Sequence, residues 1–272
     1  MRSIMRVPFT KMHGLGNDFI MLDSRSGDLP ALENSVIRAL ANRRTGIGCD
    51  QLIVLEKSAR ADFRMRIFNS DGGEVEACGN AARAVALLHG EPAEVDTDGG
   101  IISLAPAHGG ARVNMGKPRF DWQEIPLDYA MDTASMPLSW EGLSEPAAVN
   151  IGNPHAVFFV DDAASVELER LGPVIEQDPV FPQRVNVNVA DIADRVINLR
   201  VWERGAGLTK ACGTGACATA VAAIQRGLVT SPITVRLPGG EIKITWSPDQ
   251  PVIMEGPATE SFRGTFEWDD FA

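Results

Sequence analysis

Two stretches of this chain, 134 positions apart, are variants of one another. "RIFNSDGGEVEACGNAA" (66–82) aligns without a gap with "RVWERGAGLTKACGTGA" (200–216). Arg66 falls on Arg200, Gly73 on Gly207, Ala77 on Ala211, Cys78 on Cys212 and Gly79 on Gly213. Upstream, "GND" (16–18) is echoed by "GNP" (152–154), and downstream "DGGIISL" (98–104) is echoed by "PGGEIKI" (238–244). Echoes in the same order at nearly constant spacing mean two copies of one unit. In a chain of 272 residues each copy is the size of an ordinary domain. Any fold open to one half must also be open to the other.

Within each copy the local signals agree. "FRMRIFN" and "INLRVWE" alternate apolar and polar residues and predict strands. A glycine-rich turn follows, "SDGGE" or "RGAGL". Then "GNAARAVALLHG" and "GTGACATAVAAIQRG" predict helices that stop at Gly90 and Gly227. Both helices are apolar almost all round, so each must be buried on most of its surface. Short strands dominate the remainder. The expected class is α/β, of the α+β type, with two pseudo-symmetric domains. Each is a curved mixed sheet wrapped around a central apolar helix. The expected halves are residues 1–118, carrying Cys78, and 119–261, carrying Cys212, with the tail 262–272 packing back onto the first. The Pro-rich, weakly patterned stretch 117–142 reads as the join.

Composition narrows the function. The formal net charge is −11, which excludes nucleic acid and anionic membrane surfaces as natural partners and leaves a small-molecule substrate. Residues 1–19 hold no apolar run of leader length, so the expected setting is cytoplasmic, where thiols stay reduced. The four cysteines, Cys49, Cys78, Cys212 and Cys217, form no C-x-x-C pair, and no metal site is expected. Neither a phosphate loop nor a dinucleotide fingerprint occurs.

Cys78 and Cys212 each fall at the start of a buried helix. The first N–H groups of a helix lack intrahelical partners, and its dipole favours negative charge there. That setting is expected to lower a thiol pKa. Gly79 and Gly213 let a ligand approach the same N–H groups. If the two halves face each other, two thiols meet across one cleft. One thiolate can remove a proton from carbon and the opposing thiol can return one to the other face. Acyl chemistry would leave the second cysteine unexplained. Cys217, inside the helix, reads as packing.

These motifs resemble the diaminopimelate epimerases. The resemblance rests on "KMHGLGNDF" (11–19), "NRRTGIGCDQL" (42–52), "IFNSDGGEVEACGNAAR" (67–83), "NMGKP" (114–118), "GNPHAV" (152–157), "RVNVN" (184–188), "ERGAGLTKACGTGACA" (203–218) and "LPGG" (237–240). It implies interconversion of LL- and meso-2,6-diaminopimelate for lysine and peptidoglycan precursor synthesis, without a cofactor, by a homodimer. It implies Cys78 and Cys212 as acid–base thiols, with Gly79, Asn80, Gly213 and Thr214 holding the reacting carboxylate. Asn17, Gln51, Asn69, Asn153, Asn186, Glu203 and Arg204 match the other substrate-binding positions. His155, with Glu203, would set thiol protonation. Ala81 stands where many members have glycine, in the first helical turn, where alanine suits the helix better, and Cys49 stands where members vary, which reads as packing. Glu203–Arg204 has no charged equivalent in the first copy, which has Asn69–Ser70. Arg204 can bind the substrate's distal carboxylate as a fork and Glu203 its ammonium. The competing readings are a related racemase acting on an amino acid such as hydroxyproline, and a cysteine hydrolase using Cys212 and His155.

Overall fold

The two copies fold as two units. Contacts divide the computed structural model into Met1–Val113 with Pro257–Ala272, and Asn114–Gly256. The structure describes residues 5–27, 29–76 and 78–272. Ala77, which the repeat aligns with Ala211, lies outside them.

In the first unit the order is β1 (Arg6–Gly14), β2 (Asn17–Asp23), α1 (Asn34–Ala41), β3 (Gln51–Glu56), β4 (Phe63–Asn69), β5 (Glu74–Val75), α2 (Gly79–His89), β6 (Ala93–Thr97), β7 (Gly100–Ala107) and β8 (Gly110–Asn114). β1 runs antiparallel to β2, β2 parallel to β3, β3 antiparallel to β4 and β4 parallel to β6; β7 and β8 continue antiparallel. A parallel joint needs a crossover, and α1 and α2 supply the two.

The second unit opens with a short hairpin, β9 (Ser139–Trp140) and β10 (Leu143–Ser144), and then repeats the plan. β11 (Ala147–Asn150), β12 (Pro154–Phe159), α3 (Leu168–Glu176), β13 (Asn186–Ala193), β14 (Val196–Glu203), β15 (Gly207–Thr209), α4 (Gly213–Gln225), β16 (Ile233–Leu237), β17 (Gly240–Thr245) and β18 (Ile253–Gly256) follow. Their pairings alternate as before, with parallel joints at β12–β13 and β14–β16. Finally β19 (Thr259–Glu267) returns to pair antiparallel with β1, so the chain's last strand belongs to the first unit.

Each central helix sits inside its sheet. α4 packs against β11, β12, β13, β14, β16 and β17, and every residue from Gly213 to Ala223 is buried. Its run of Ala, Gly and Thr keeps it thin enough to be enclosed on all sides. Thr219 satisfies its buried hydroxyl by donating to the Gly215 carbonyl at 2.8 Å. α2 is buried from Gly79 to Ala86 and ends as expected, with Gly90 left-handed at φ 81° and its N–H bound to the Ala86 carbonyl.

The stretch 117–142 differs from its sequence reading as a join. Ile125, Leu127 and Met136 are buried in the second unit's core with Phe158, Leu168 and Phe181. Backbone bonds from Arg119 to Asn150, from Met136 to Pro146 and from Ala148 to Thr133 tie it to β11 and its approach. It shows no period because each anchor is held separately rather than along one regular element. Among the described residues no helix is long and apolar enough to cross a membrane.

Gly46 marks a point of no slack. A Cβ there would lie 2.1 Å from the Ala39 carbonyl oxygen and 2.7 Å from that of Leu40, both backbone atoms of α1. Gly46→Ala is expected to lower unfolding free energy by about 1–3 kcal/mol in urea titrations. Gly27→Ala, where nothing lies within 4 Å, is expected to change it by under about 0.5 kcal/mol.

Candidate active site

In the first unit the tight turn between β1 and β2 passes through Leu15 (φ 57°) and Gly16 (φ 87°) and presents Asn17. Asn17 Oδ1 accepts from Asn80 Nδ2 at 3.1 Å and lies 3.9 Å from the Cys78 sulfur. Asn17 Nδ2 donates to Asp50 at 3.0 Å. Arg43 holds Asp50 at 2.7 Å and Asp18 at 2.5 Å. Burial would raise the Asp18 carboxyl, but Arg43 and Lys11 outweigh it and hold the group well below the usual carboxylate range. Asn17 is thus fixed from behind by an ion-pair network.

Cys78 is extended, at φ −149°, immediately before α2. Its sulfur accepts from the Ala81 N–H at 3.4 Å, in the position where Ser or Asp ordinarily caps a helix. One turn on, the fully buried Arg83 donates to Asn80 Oδ1 at 2.8 Å and to the Pro257 carbonyl at 3.2 Å. Gln51 opens β3 directly opposite Asn69, which closes β4, and Gln51 Nε2 donates to Asn69 Oδ1 at 3.0 Å. Gln51 Oε1 is buried with no protein partner.

The second unit repeats this arrangement with different chemistry. Cys212, at φ −124°, caps α4, its sulfur accepting from the Gly215 N–H at 3.3 Å and lying 3.5 Å from the Thr214 hydroxyl. Asn186 opens β13 and Glu203 closes β14, so Asn186 and Glu203 take the places of Gln51 and Asn69. Asn186 Nδ2 donates to the Pro154 carbonyl, and its Oδ1 accepts from the Arg204 N–H, both at 2.9 Å. The exposed Arg204 guanidinium donates to the Gln183 carbonyl at 2.9 Å. Thr209 donates to the Glu203 carboxylate at 2.5 Å. Burial pushes the Glu203 carboxyl up, against hydrogen bonds from Thr209 and Cys212.

His155 is fully buried. An amide nitrogen can only donate, so Asn188 Nδ2, 3.1 Å away, gives its hydrogen to His155 Nδ1. His155 Nε2 then donates to Asn153 Oδ1 at 2.9 Å. Burial pushes the imidazole pKa down to about 3, with the Arg204 charge acting in the same direction, so His155 is neutral near pH 7.

The expected lowering of the thiol pKa by a helix terminus fails at Cys212. Burial pushes this thiol well up and the Glu203 charge pushes it further, while the Thr214 hydroxyl and Gly215 N–H oppose both too weakly to prevail. A helix end stabilises a thiolate by one or two hydrogen bonds; complete loss of solvent costs more. Cys49, buried in the first unit's core, is likewise pushed up, to about 12, chiefly by burial. Cys217 is fully buried inside α4. Both take the packing positions expected of them.

Arg83, Asp50 and Asn188 were not singled out from the sequence. Arg83 was legible as the one charge in a helix predicted to be buried. Asn188 was legible as two residues on from Asn186 in an alternating strand, hence on the same face. Asp50 carried no such signal. Among the described residues no three His, Cys, Asp or Glu side chains are grouped to hold a metal ion.

A family model described as diaminopimelate epimerase matches residues 9–121 and 147–260. A diaminopimelate epimerase of Erythrobacter litoralis is 66% identical over 269 residues, covering 98% of this chain and 100% of that protein. One of Sphingopyxis alaskensis is 58% identical, covering 97% and 98%. Among solved structures, a phenazine biosynthesis protein of the PhzF family from Bacillus anthracis aligns with TM-score 0.69 at 14% identity, covering 97% of this chain and 99% of that one. It shows the same fold.

The two thiols are expected to react unequally. In the ligand-free protein at pH 8, iodoacetamide is expected to label the half-buried Cys78 well before the buried, protonated Cys212, as read by peptide mass spectrometry. His155 sets an acid limit. Its folded pKa lies below its unfolded one, so its contribution is complete above about pH 6.5 and is lost as pH falls toward 3. In that window it is expected to add up to about 1.4 kcal/mol per pH unit to acid destabilisation, a slope that His155→Asn removes.

Proposed function

The chain belongs to the diaminopimelate epimerase family, and on that premise we propose that it interconverts LL- and meso-2,6-diaminopimelate by two-thiol proton transfer at the α-carbon. The observation that carries the reading is that family membership spans both copies of the repeat, and each copy ends a strand–turn with a cysteine capping a buried helix.

In the proposed reaction one thiolate takes the α-proton: the C–H bond breaks and an S–H bond forms. The electron pair left behind is delocalised into the carboxylate. The other thiol then gives its proton to the opposite face, so its S–H bond breaks and a new C–H bond forms. The enzyme is left with the two protonation states exchanged. Cys78 and Cys212 fill these roles, and because Cys212 is held protonated, it is the natural donor in the resting protein. The N–H groups and side chains at Gly79, Asn80, Gly213 and Thr214 are suited to the charge that builds on the carboxylate. Asn17, Gln51, Asn69, Asn153 and Asn186 offer amide contacts. Glu203 and Arg204 supply the only charged pair among these positions, matched to the ammonium and carboxylate of the distal, non-reacting end. Neutral His155 holds Asn153 by one hydrogen bond, leaving its amide nitrogen to donate. The same reading carries a role in lysine and peptidoglycan precursor synthesis, a cytoplasmic setting and a homodimer.

In D2O, wild-type protein is expected to incorporate solvent deuterium at the α-carbon of LL-diaminopimelate while forming the meso isomer. Cys78→Ala and Cys212→Ala are each expected to lower kcat by at least about 100-fold. Turnover without deuterium, or a fully active variant of either cysteine, would overturn the assignment.

A further inference from the structure

Glu176 is a buried carboxylate outside every position considered so far, only 3% exposed at the last residue of α3. Its two oxygens are both engaged. Oε2 accepts from the Trp202 indole Nε1 at 2.7 Å. Oε1 accepts from the Gly205 backbone N–H at 3.1 Å and from Arg184 at 3.5 Å. Trp202 and Gly205 flank Glu203 and Arg204, so one carboxylate grips the chain on both sides of that pair.

The strand geometry gives this grip a direction. Successive side chains on β14 point to opposite faces. Trp202 faces α3, where its ring lies against Gly172 so closely that a Cβ on that glycine would be 2.4 Å from it. Glu203 faces the other way, against Cys212. Beyond Glu203 the chain turns through Gly205 (φ 77°) and Gly207 (φ 84°), conformations that confer no rigidity of their own. The turn closes on itself through the Ala206 N–H to the Glu203 carbonyl at 3.0 Å, and its two middle N–H groups are anchored from outside, Arg204 by Asn186 and Gly205 by Glu176.

We propose that Glu176 is a positioning residue for substrate recognition, fixing the Glu203–Arg204 turn so that this pair can bind the distal ammonium and carboxylate of a dibasic, diacidic amino acid. The inference rests on the proposed function for the identity of that substrate. It makes a sharp demand on the side chain. Each oxygen faces an N–H donor, so a glutamine in either orientation sets its own NH2 against one of them. A near-isosteric change therefore releases one anchor without emptying the space.

The experiment compares wild type, Glu176→Gln, Arg204→Ala and the double variant in steady-state epimerisation of LL-diaminopimelate, with circular dichroism melts of each. Glu176→Gln is expected to raise KM about tenfold while kcat falls less than threefold. In the Arg204→Ala background it is expected to raise KM clearly less than in wild type, since it acts largely through that residue. A folded Glu176→Gln with unchanged KM overturns the proposal, as do effects that simply add in the double variant. Should Glu176→Gln fail to fold, Trp202→Phe, which removes only the indole donor and keeps a ring over Gly172, is judged by the same two criteria. Wild-type protein without activity on diaminopimelate overturns both this inference and the functional reading; an active wild type with an indifferent Glu176 overturns this inference alone.

Discussion

A cysteine sulfur accepts a hydrogen bond from the N–H three residues on, once at Cys78 and once at Cys212. For that bond to form, the cysteine must be extended while the next residue is already helical. A strand must therefore deliver the chain to the helix at a fixed point. In both units that strand is the fourth of the repeated series, and a short antiparallel return brings the chain from its end to the cysteine. The helix must also be held, because a sulfur cap is a weak one. It is held by burial: both helices lie among strands on most sides, and neither has a polar face to lose to solvent.

The units share a plan and differ where charge is concerned. Asn69 in the first becomes Glu203 in the second, Asn80 becomes Thr214, and buried Arg83 becomes buried Cys217. The first unit thus places a cation one turn behind its thiol, and the second places a carboxylate beside its own. At Cys212, local charge and burial, rather than the helix end alone, decide what the sulfur is. They decide for the protonated form.

Much of the plan was legible in the sequence because duplication checks itself. A strand, a glycine turn and an apolar helix in one copy are weak signals; the same order repeated 134 residues later is a strong one. Both central helices, the strands Phe63–Asn69 and Val196–Glu203, and the capping cysteines all emerge from that repeat. Less was legible where residues act through partners distant in the chain. Asp50 supports Asn17 across 33 positions, and Glu176 supports Gly205 across 29. Neither has a spacing that marks it, because the contact is made by the sheet and not by a local period. The Cys212 pKa departs from its sequence expectation for a related reason: sequence shows a helix end, whereas desolvation is a sum over everything around it.

The complete burial of α4 has a consequence for motion. Helix ends ordinarily fray, opening their first turn at little cost. The first turn of α4 has no such route, since Gly213 through Ala216 are enclosed along with the rest. The Gly215 amide gives its hydrogen to the Cys212 sulfur with the Asn188 and Val201 side chains close about it, so that proton should exchange slowly for one in a first helical turn. The Cys212 sulfur is therefore anchored to a helix start that does not fray.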